Sequence, residues 1–520
     1  MNNKGLIYGV SDKPSFGKLL VFALQQVLAI MAATIAVPTI IGKSAYIPAA
    51  LLGAGIGTIV YLLFTKFKSP AFLGSSFAFL SSLFTAVAYG YCGIILGSIF
   101  AGLVYVAIAL VIHFVGTNWV AKLMPPVIIG PTVALIGLSL AVNAMGDMVS
   151  ASASVQNGSY NLIGLVCGLV AFFTIVICSS QKKFKMMKLI PFIIGIGAGY
   201  AVAAIFTLIG TLADADYLMI INFQPLISNF VNADGSFVGL KAILNYPEFA
   251  LISGIKEIVN GTFNIDGGAV AEIAIAFLPV AFVVFAEHIA DHKNLSSIIG
   301  SDLIKEPGLE KTLLGDGVGS IVGTIFGICP NTTYGESVGC VAITRNASVY
   351  TILTAAIMCI VLSFISPLMA LLRTIPACVM GGVCLTLYGY IAVSGLKMFK
   401  DLDLNKNKNL FVVAAILIAG IGGLAIKVPY TLERATSWIV DMSAFTAIQV
   451  DAGFANVITV TPIATALILG IVTNLILSKL EKKEGDAEEE SLVTAAADKS
   501  VCDACVGETE ECCACEKEDK

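Results

Sequence analysis

Two carboxylates stand where the surrounding sequence opposes charge. Glu287 closes the apolar run Ile275 to Ala286, and Asp291 follows four residues later, so both share one helix face. An ionisable side chain at such depth is costly and marks a functional site. His292 and Lys293, which follow directly, read as residues solvating the cytoplasmic end of that helix. His288 lies off the Glu287 face and reads as a helix–helix hydrogen-bonding residue. Glu336 is a third acid in an apolar setting. It sits beside Gly335 at the start of a short helical stretch, where free N–H groups and the helix dipole favour an anion or a carbonyl oxygen. Glycine there permits close backbone approach. Phe77, at the matching place of an earlier segment (Ser75-Ser76-Phe77), offers a flat aromatic face, although core packing accounts for most of the 29 phenylalanines.

Carboxylates accept N–H donors, helix-end N–H groups serve carbonyl oxygens, and an aromatic ring stacks on a flat partner. A pyrimidinedione carries two N–H groups, two carbonyls and one flat ring. The set therefore suits a nucleobase better than a sugar, an inorganic ion or a peptide. No metal-ligand cluster and no nucleophile–base pair falls within the apolar segments, which argues against an enzyme, and neither a cofactor nor a nucleic-acid partner is expected.

The elements that must hold these residues are read from composition. Hydrophobic residues make up 57% of the 520, charged residues only 12%, and mean hydropathy is +0.91. A soluble chain carries about twice that charged fraction. The apolar residues fall in blocks near the ~20 residues that cross a bilayer, without the alternation of an outer-membrane barrel. The lipid bilayer is thus a partner, and the fold class is an all-α integral membrane protein. Residues 1–18 are polar and the first apolar block is full length, unlike a cleavable signal. Fourteen segments are predicted, beginning near Leu19, Ile47, Phe72, Cys92, Pro125, Asn161, Leu189, Ala271, Leu313, Thr332, Val349, Ile375, Leu410 and Val457. With the N-terminus inside, inner loops and termini up to Lys483 carry 21 of the 30 basic residues and outer loops six, the positive-inside pattern that puts both termini in the cytoplasm.

The third and tenth segments, Pro70–Phe79 and Cys329–Gly339, are short and broken by proline and small polar residues. Each predicts a brief extended stretch followed by a half-helix, and each is third in its set of seven. An odd number of spans per set inverts the second repeat relative to the first, and paired interrupted helices point to a midplane binding site. The resulting division is a cytoplasmic N-terminus (1–18), a first seven-segment repeat (19–212), an extracellular loop (213–270) with an amphipathic helix near Phe249–Val259, a second repeat (271–480), and an acidic tail (481–520). The tail holds 14 acids and 5 bases, a net of −9, so the formal charge of −5 belongs to it and not to the membrane region. Its thiols, Cys502, Cys505, Cys512, Cys513 and Cys515, are soft enough for zinc or copper. The six-residue gap between the clusters is short for a zinc module, and the composition around them favours a flexible tail.

The motifs resemble the nucleobase/ascorbate transporter family, and within it the bacterial uracil permeases. The matching stretches are Leu24–Pro38, Pro70–Phe79, Ala286–Ala290, Asp302–Leu309, Pro330–Glu336 and the signature Glu336–Arg345, in order over about residues 15–480. The resemblance implies two inverted repeats of seven segments. Segments 1–4 and 8–11 would form a core domain and 5–7 with 12–14 a gate domain, often dimeric through the gates. It implies proton-coupled uptake of uracil at the cell membrane by alternating access. Glu287 and Glu336 would bind the base, Phe77 would stack on it and Gly335 would lend backbone. Glu287, Asp291 and Tyr388 form the proton-coupling set, with gate packing an equal reading for Tyr388. A xanthine or urate permease would use the same scaffold, and anion transporters share the fold, although buried carboxylates oppose an anion. The chain departs from the family where Gln25-Gln26 replaces Gln-His, where Ser337 replaces Asn, and where Asp291 replaces the histidine of some uracil permeases.

Overall fold

A computed structural model describes residues 5–150, 160–181, 187, 190–262, 265–429 and 457–481. The tail cysteines, and most of the Lys182–Lys188 basic cluster, lie outside the described residues. The helices are α1 (Phe16–Ile40), α2 (Ile47–Phe64), α3 (Leu80–Val87), α4 (Gly90–Val115), α5 (Asn118–Leu123), α6 (Pro126–Val149), α7 (Leu162–Ser180), α8 (Pro191–Ala213), α9 (Gln224–Phe230), α10 (Ala250–Val259), α11 (Gly267–Ile299), α12 (Leu309–Phe326), α13 (Gly335–Thr344), α14 (Val349–Ser363), α15 (Ser366–Leu372), α16 (Ala377–Lys397), α17 (Asn407–Ile421) and α18 (Pro462–Glu481). Nine of them among the described residues are long and apolar enough to cross a membrane: α1, α2, α4, α6, α7, α8, α11, α16 and α18. These mark a multi-pass membrane protein. The other five predicted segments coincide with shorter or more polar elements: α3, α13, the 15-residue α14 and α17, and α12 with its three charged residues.

Both interrupted segments contain the expected extended stretch. β1 (Leu73–Ser75) pairs antiparallel with β2 (Asn331–Thr333), placing Leu73 opposite Thr333, Gly74 opposite Thr332 and Ser75 opposite Asn331. The first half-helix begins later than the sequence suggests. Ser75 is still strand, Phe77 lies in the turn, and α3 opens only at Leu80. The second begins where expected, with α13 opening at Gly335.

Packing divides the helices into two groups. In the first, α12 lies between α2 and α4, α11 packs on α4, and α14 packs on α1 and α2. In the second, α16 packs on α6 and α7, α7 on α8, and α17 on α6. Small residues bring the backbones together, as expected where lipid gives helices no hydrophobic reason to associate. A Cβ at Gly53 of α2 would stand 2.3 Å from the Gly323 carbonyl oxygen of α12, and one at Gly382 of α16 would stand 2.1 Å from the Gly168 carbonyl of α7. The groups meet where α11 touches α6 and α1 touches α8 and α16.

α11 is the longest element. Asp266 caps it by accepting from Ala269 N (2.8 Å), and it ends at Gly300 in the left-handed region. Its 33 residues span about 50 Å, against a hydrocarbon core of about 30 Å. Glu287 lies just past its midpoint, so the helix is not ending there, and two further turns follow His292. His292 is accordingly buried, not solvating an end as expected, whereas Lys293 is exposed.

Gly53→Ala is expected to force α2 from α12 and to cost about 1–3 kcal/mol, read as a lower melting temperature in detergent. Gly146→Ala, where an added Cβ meets nothing within 4 Å, is expected to change stability by less than about 0.5 kcal/mol. Equal melting temperatures for the two variants would refute the close-packed interface.

Candidate functional site

The site assembles where the paired strands hand over to α13 beside α11. Backbone bonds extend the β1–β2 ladder in both directions, from Ser76 N to Pro330 O (2.9 Å) and from Tyr334 N to Phe72 O (3.1 Å). Tyr334 then folds over Gly74, where any Cβ would strike its ring, and donates its hydroxyl to Ser75 O at 2.7 Å. This places residue 335 in open space. An added Cβ at Gly335 would meet only Asp291 Oδ1, at 3.6 Å, and the glycine stays accessible although Tyr334 before it is buried.

Four acids converge here. Asp291, Glu336 and Asp316 all lie within electrostatic reach of Glu287. Thr333 Oγ1 donates to Asp291 Oδ2 at 3.0 Å, and Thr332 Oγ1 donates to Asp316 Oδ2 at 3.2 Å, so neighbouring residues of β2 serve different carboxylates. Glu287 Oε2 and Glu336 Oε1 have no hydrogen-bond partner among the described residues. Both residues are only half-buried, and Gly335 opens beside them. Two buried carboxylate oxygens without protein partners, beside an exposed glycine, are suited to N–H donors of a ligand, because charged acceptors form the stronger hydrogen bonds.

The aromatic residues of the expected site meet each other. The Phe77 ring meets Tyr388 of α16 edge-on, with centroids 5.2 Å apart and planes at 88°. Phe77 comes from the first helix group and Tyr388 from the second, so this contact crosses the boundary between them. The electrostatic neighbours of the Tyr388 hydroxyl are Cys384 and Asp147, and its ring packs on Phe77.

Two departures from the family pattern prove to be partners. Gln26 Nε2 of α1 donates to Ser337 Oγ of α13, and both side chains are buried. The bond ties α1 to α13 through two of the positions at which the chain departs from the pattern. Asp316, absent from the expected site, had one readable signal, an acid within the glycine-rich Gly315-Asp316-Gly317 of an apolar segment.

The family model Xan_ur_permease, described as a permease family, matches residues 17–428. The chain is 36% identical over 494 residues to a protein named uracil permease from Bacillus subtilis, covering 94% of this chain and 99% of that one. It is 35% identical to the uracil permease of Bacillus caldolyticus, over 91% of this chain and 94% of the relative. The uracil permease of Escherichia coli K12 is 32% identical, over 81% and 88%. Among solved structures, the transmembrane domain of the cyanobacterial bicarbonate transporter BicA aligns with a TM-score of 0.52 at 16% identity, covering 79% of this chain and 97% of that domain. SLC26A9 aligns with a TM-score of 0.55 at 12% identity, covering 92% and 66%. At such identities the likeness concerns the fold alone.

Gln26→Met leaves the buried Ser337 hydroxyl without its partner and is expected to cost about 1–3 kcal/mol. Adding Ser337→Ala removes both polar partners and is expected to recover most of that loss, as a double-mutant cycle in thermal stability reads directly. Strictly additive losses would show that the two side chains do not interact.

Proposed function

This chain belongs to the nucleobase/ascorbate transporter family, whose members are permeases and not enzymes, and on that premise we propose that it imports uracil together with a proton across the cell membrane. The relatives that support uracil match nearly the whole chain. The observation that carries the site is the pair of unpartnered carboxylate atoms, on Glu287 and Glu336, beside the open Gly335. A pyrimidinedione places N–H groups on those oxygens, a carbonyl near the first N–H groups of α13, and its ring face on Phe77. An anion would meet four acids there, and a sugar has no flat face to offer.

The fold fits two inverted seven-segment repeats in which β1 with α3 and β2 with α13 are counterparts. α1–α4 and α11–α14 form the core, and α6–α8 with α16–α18 form the gate. Gate surfaces of two copies form a homodimer, and both termini face the cytoplasm. The core moves against the gate with the base bound, while Tyr388 closes the hollow from the gate side. Glu287 takes its proton from outside, which neutralises the hollow for the inward movement, and releases it inside with the base. Carboxylates this close share protons instead of ionising together, so Asp291 is the partner in that exchange.

Uptake of a panel of labelled bases, with and without a protonophore, tests the proposal. Uracil is expected to accumulate only with the proton gradient intact, and excess xanthine is expected not to compete. Glu287→Gln is expected to lower proton-driven accumulation by about 100-fold or more, and retained accumulation would sink the assignment. Gly335→Ala fits its open surroundings without disturbing the fold but fills ligand space. It is expected to weaken uracil binding by about tenfold, roughly 1.4 kcal/mol, with an unchanged melting temperature.

A further inference from the structure

A further group of ionisable side chains continues from Asp316 of the site through hydrogen bonds of its own. His288 and Asp316 are fully buried and His292 nearly so. His288 Nδ1 stands 2.7 Å from Asp316 Oδ2 and its Nε2 stands 3.0 Å from Thr312 Oγ1. Thr312 has one hydroxyl proton, which goes either to Leu309 O (3.1 Å), so that His288 Nε2–H donates to Thr312, or to His288 Nε2 itself. One proton bridges the 2.7 Å contact in both cases, and the pair holds one proton more when Nε2 is also protonated. The His292 ring stacks on His288 with centroids 4.0 Å apart. Its Nδ1 donates to His288 O (2.8 Å), and its Nε2 meets the Tyr61 hydroxyl (2.8 Å), which in turn bonds Ser69 Oγ (2.7 Å). Ser69 adjoins Lys68, whose ammonium pairs with Glu306 at the surface (2.6 Å).

The tyrosine has one proton to donate, and that fixes what the chain can do. When Ser69 donates to Tyr61 and Tyr61 donates to Nε2, His292 is neutral. When Nε2–H donates to Tyr61 and Tyr61 donates to Ser69, His292 is a cation. The two polarities differ by one proton, handed on at the Ser69 hydroxyl, which is buried one residue from the exposed Lys68. The titratable groups around the histidines are Tyr61 from α2, Tyr105 from α4, Asp316 from α12, and Glu287 and Asp291 from their own helix. With Asp316 as the acid bonded to the pair, one proton makes the trio neutral. It resides either on the Asp316–His288 pair, with Nε2–H turned to Thr312, or on His292, with His288 Nδ1–H donating to Asp316 and His288 Nε2 accepting from Thr312, and a second proton, or none, leaves an uncompensated buried charge.

The geometry points to a proton-displacement device that deepens the proton-coupled reading above and rests on it. A proton entering the Asp316–His288 contact from the pocket side, past Thr332, expels one from His292 through Tyr61 and Ser69 to the cytoplasm. One proton enters, one leaves, the buried net charge stays at zero, and none has to cross the stacked ring faces. Tyr61, His292 and Ser69 are thus proton-handling residues that never touch the base.

Proteoliposomes holding a pH-sensitive dye read both functions: uracil counterflow at equal pH for binding and movement, and uracil-linked acidification of the lumen for coupling. Tyr61→Phe, Ser69→Ala and His292→Asn are each expected to keep counterflow within about twofold of wild type, while lowering acidification per uracil by about tenfold or more. Wild-type acidification in Tyr61→Phe and His292→Asn would overturn the device. Loss of counterflow in all three variants would also overturn it, since the residues would then serve the fold. If the wild-type protein moves uracil without acidifying the lumen, proton coupling itself fails. If Glu287→Gln abolishes acidification while Tyr61→Phe preserves it, the coupling stands and only the displacement path falls.

Discussion

Inside a bilayer, backbone that is neither helix nor closed barrel must find its hydrogen bonds within the protein. Here two interrupted segments, more than 250 residues apart in sequence, supply each other through the β1–β2 pair. The rest of the site hangs from that pairing. It sets Tyr334 over Gly74, which fixes the start of α13 and with it Gly335 and Glu336. It also aims Thr333 at Asp291 and Thr332 at Asp316. One three-residue strand therefore anchors both the hollow and the proton-bearing residues below it, so neither can shift without the other.

Rigidity around that strand comes from glycine. α12 meets α2 through Gly53 with Gly323 and Gly57 with Gly319, and meets α4 through Gly102 with Gly317. Backbones this close leave no room for independent sliding. The boundary with the second helix group is of another kind, for at the hollow it is the edge-on contact of Phe77 with Tyr388. Such a contact is worth about 0.5–1.5 kcal/mol beyond the area it buries. The proposed movement of one group against the other would have to remake this contact together with those of α11 on α6 and of α1 on α8 and α16.

Much of this was readable before any coordinates. The apolar blocks located the long helices, and proline with small polar residues located both broken segments. Depth alone singled out Glu287. The misreadings share a cause, which is that neighbours across helices are invisible in a linear string. His292 looked like the polar end of a helix because it precedes Lys293, yet α11 continues and Tyr61 covers it. Gln26 and Ser337 each looked like a separate departure, and only the packing of α1 on α13 makes them one interaction. Ser75 and Phe77 looked helical because no local rule distinguishes a first helical turn from a strand that finds its partner in a distant segment.

Charge then constrains what such a body can do. Glu287, Asp291, Glu336 and Asp316 lie in one electrostatic neighbourhood, and each ionised group carried through the hydrocarbon costs several kcal/mol unless it is compensated. The threonines of β2 supply hydrogen bonds but no charge, and the two histidines offer a cation only by taking up protons. On the proposed proton coupling, protons are the mobile counter-ions of the core, and their number decides when it is free to move. A base whose N–H groups occupy the carboxylates of Glu287 and Glu336 offsets part of the same desolvation. In the proposed mechanism substrate and proton thus act on one term of the energy, and their coupling would follow from burial without direct contact between them.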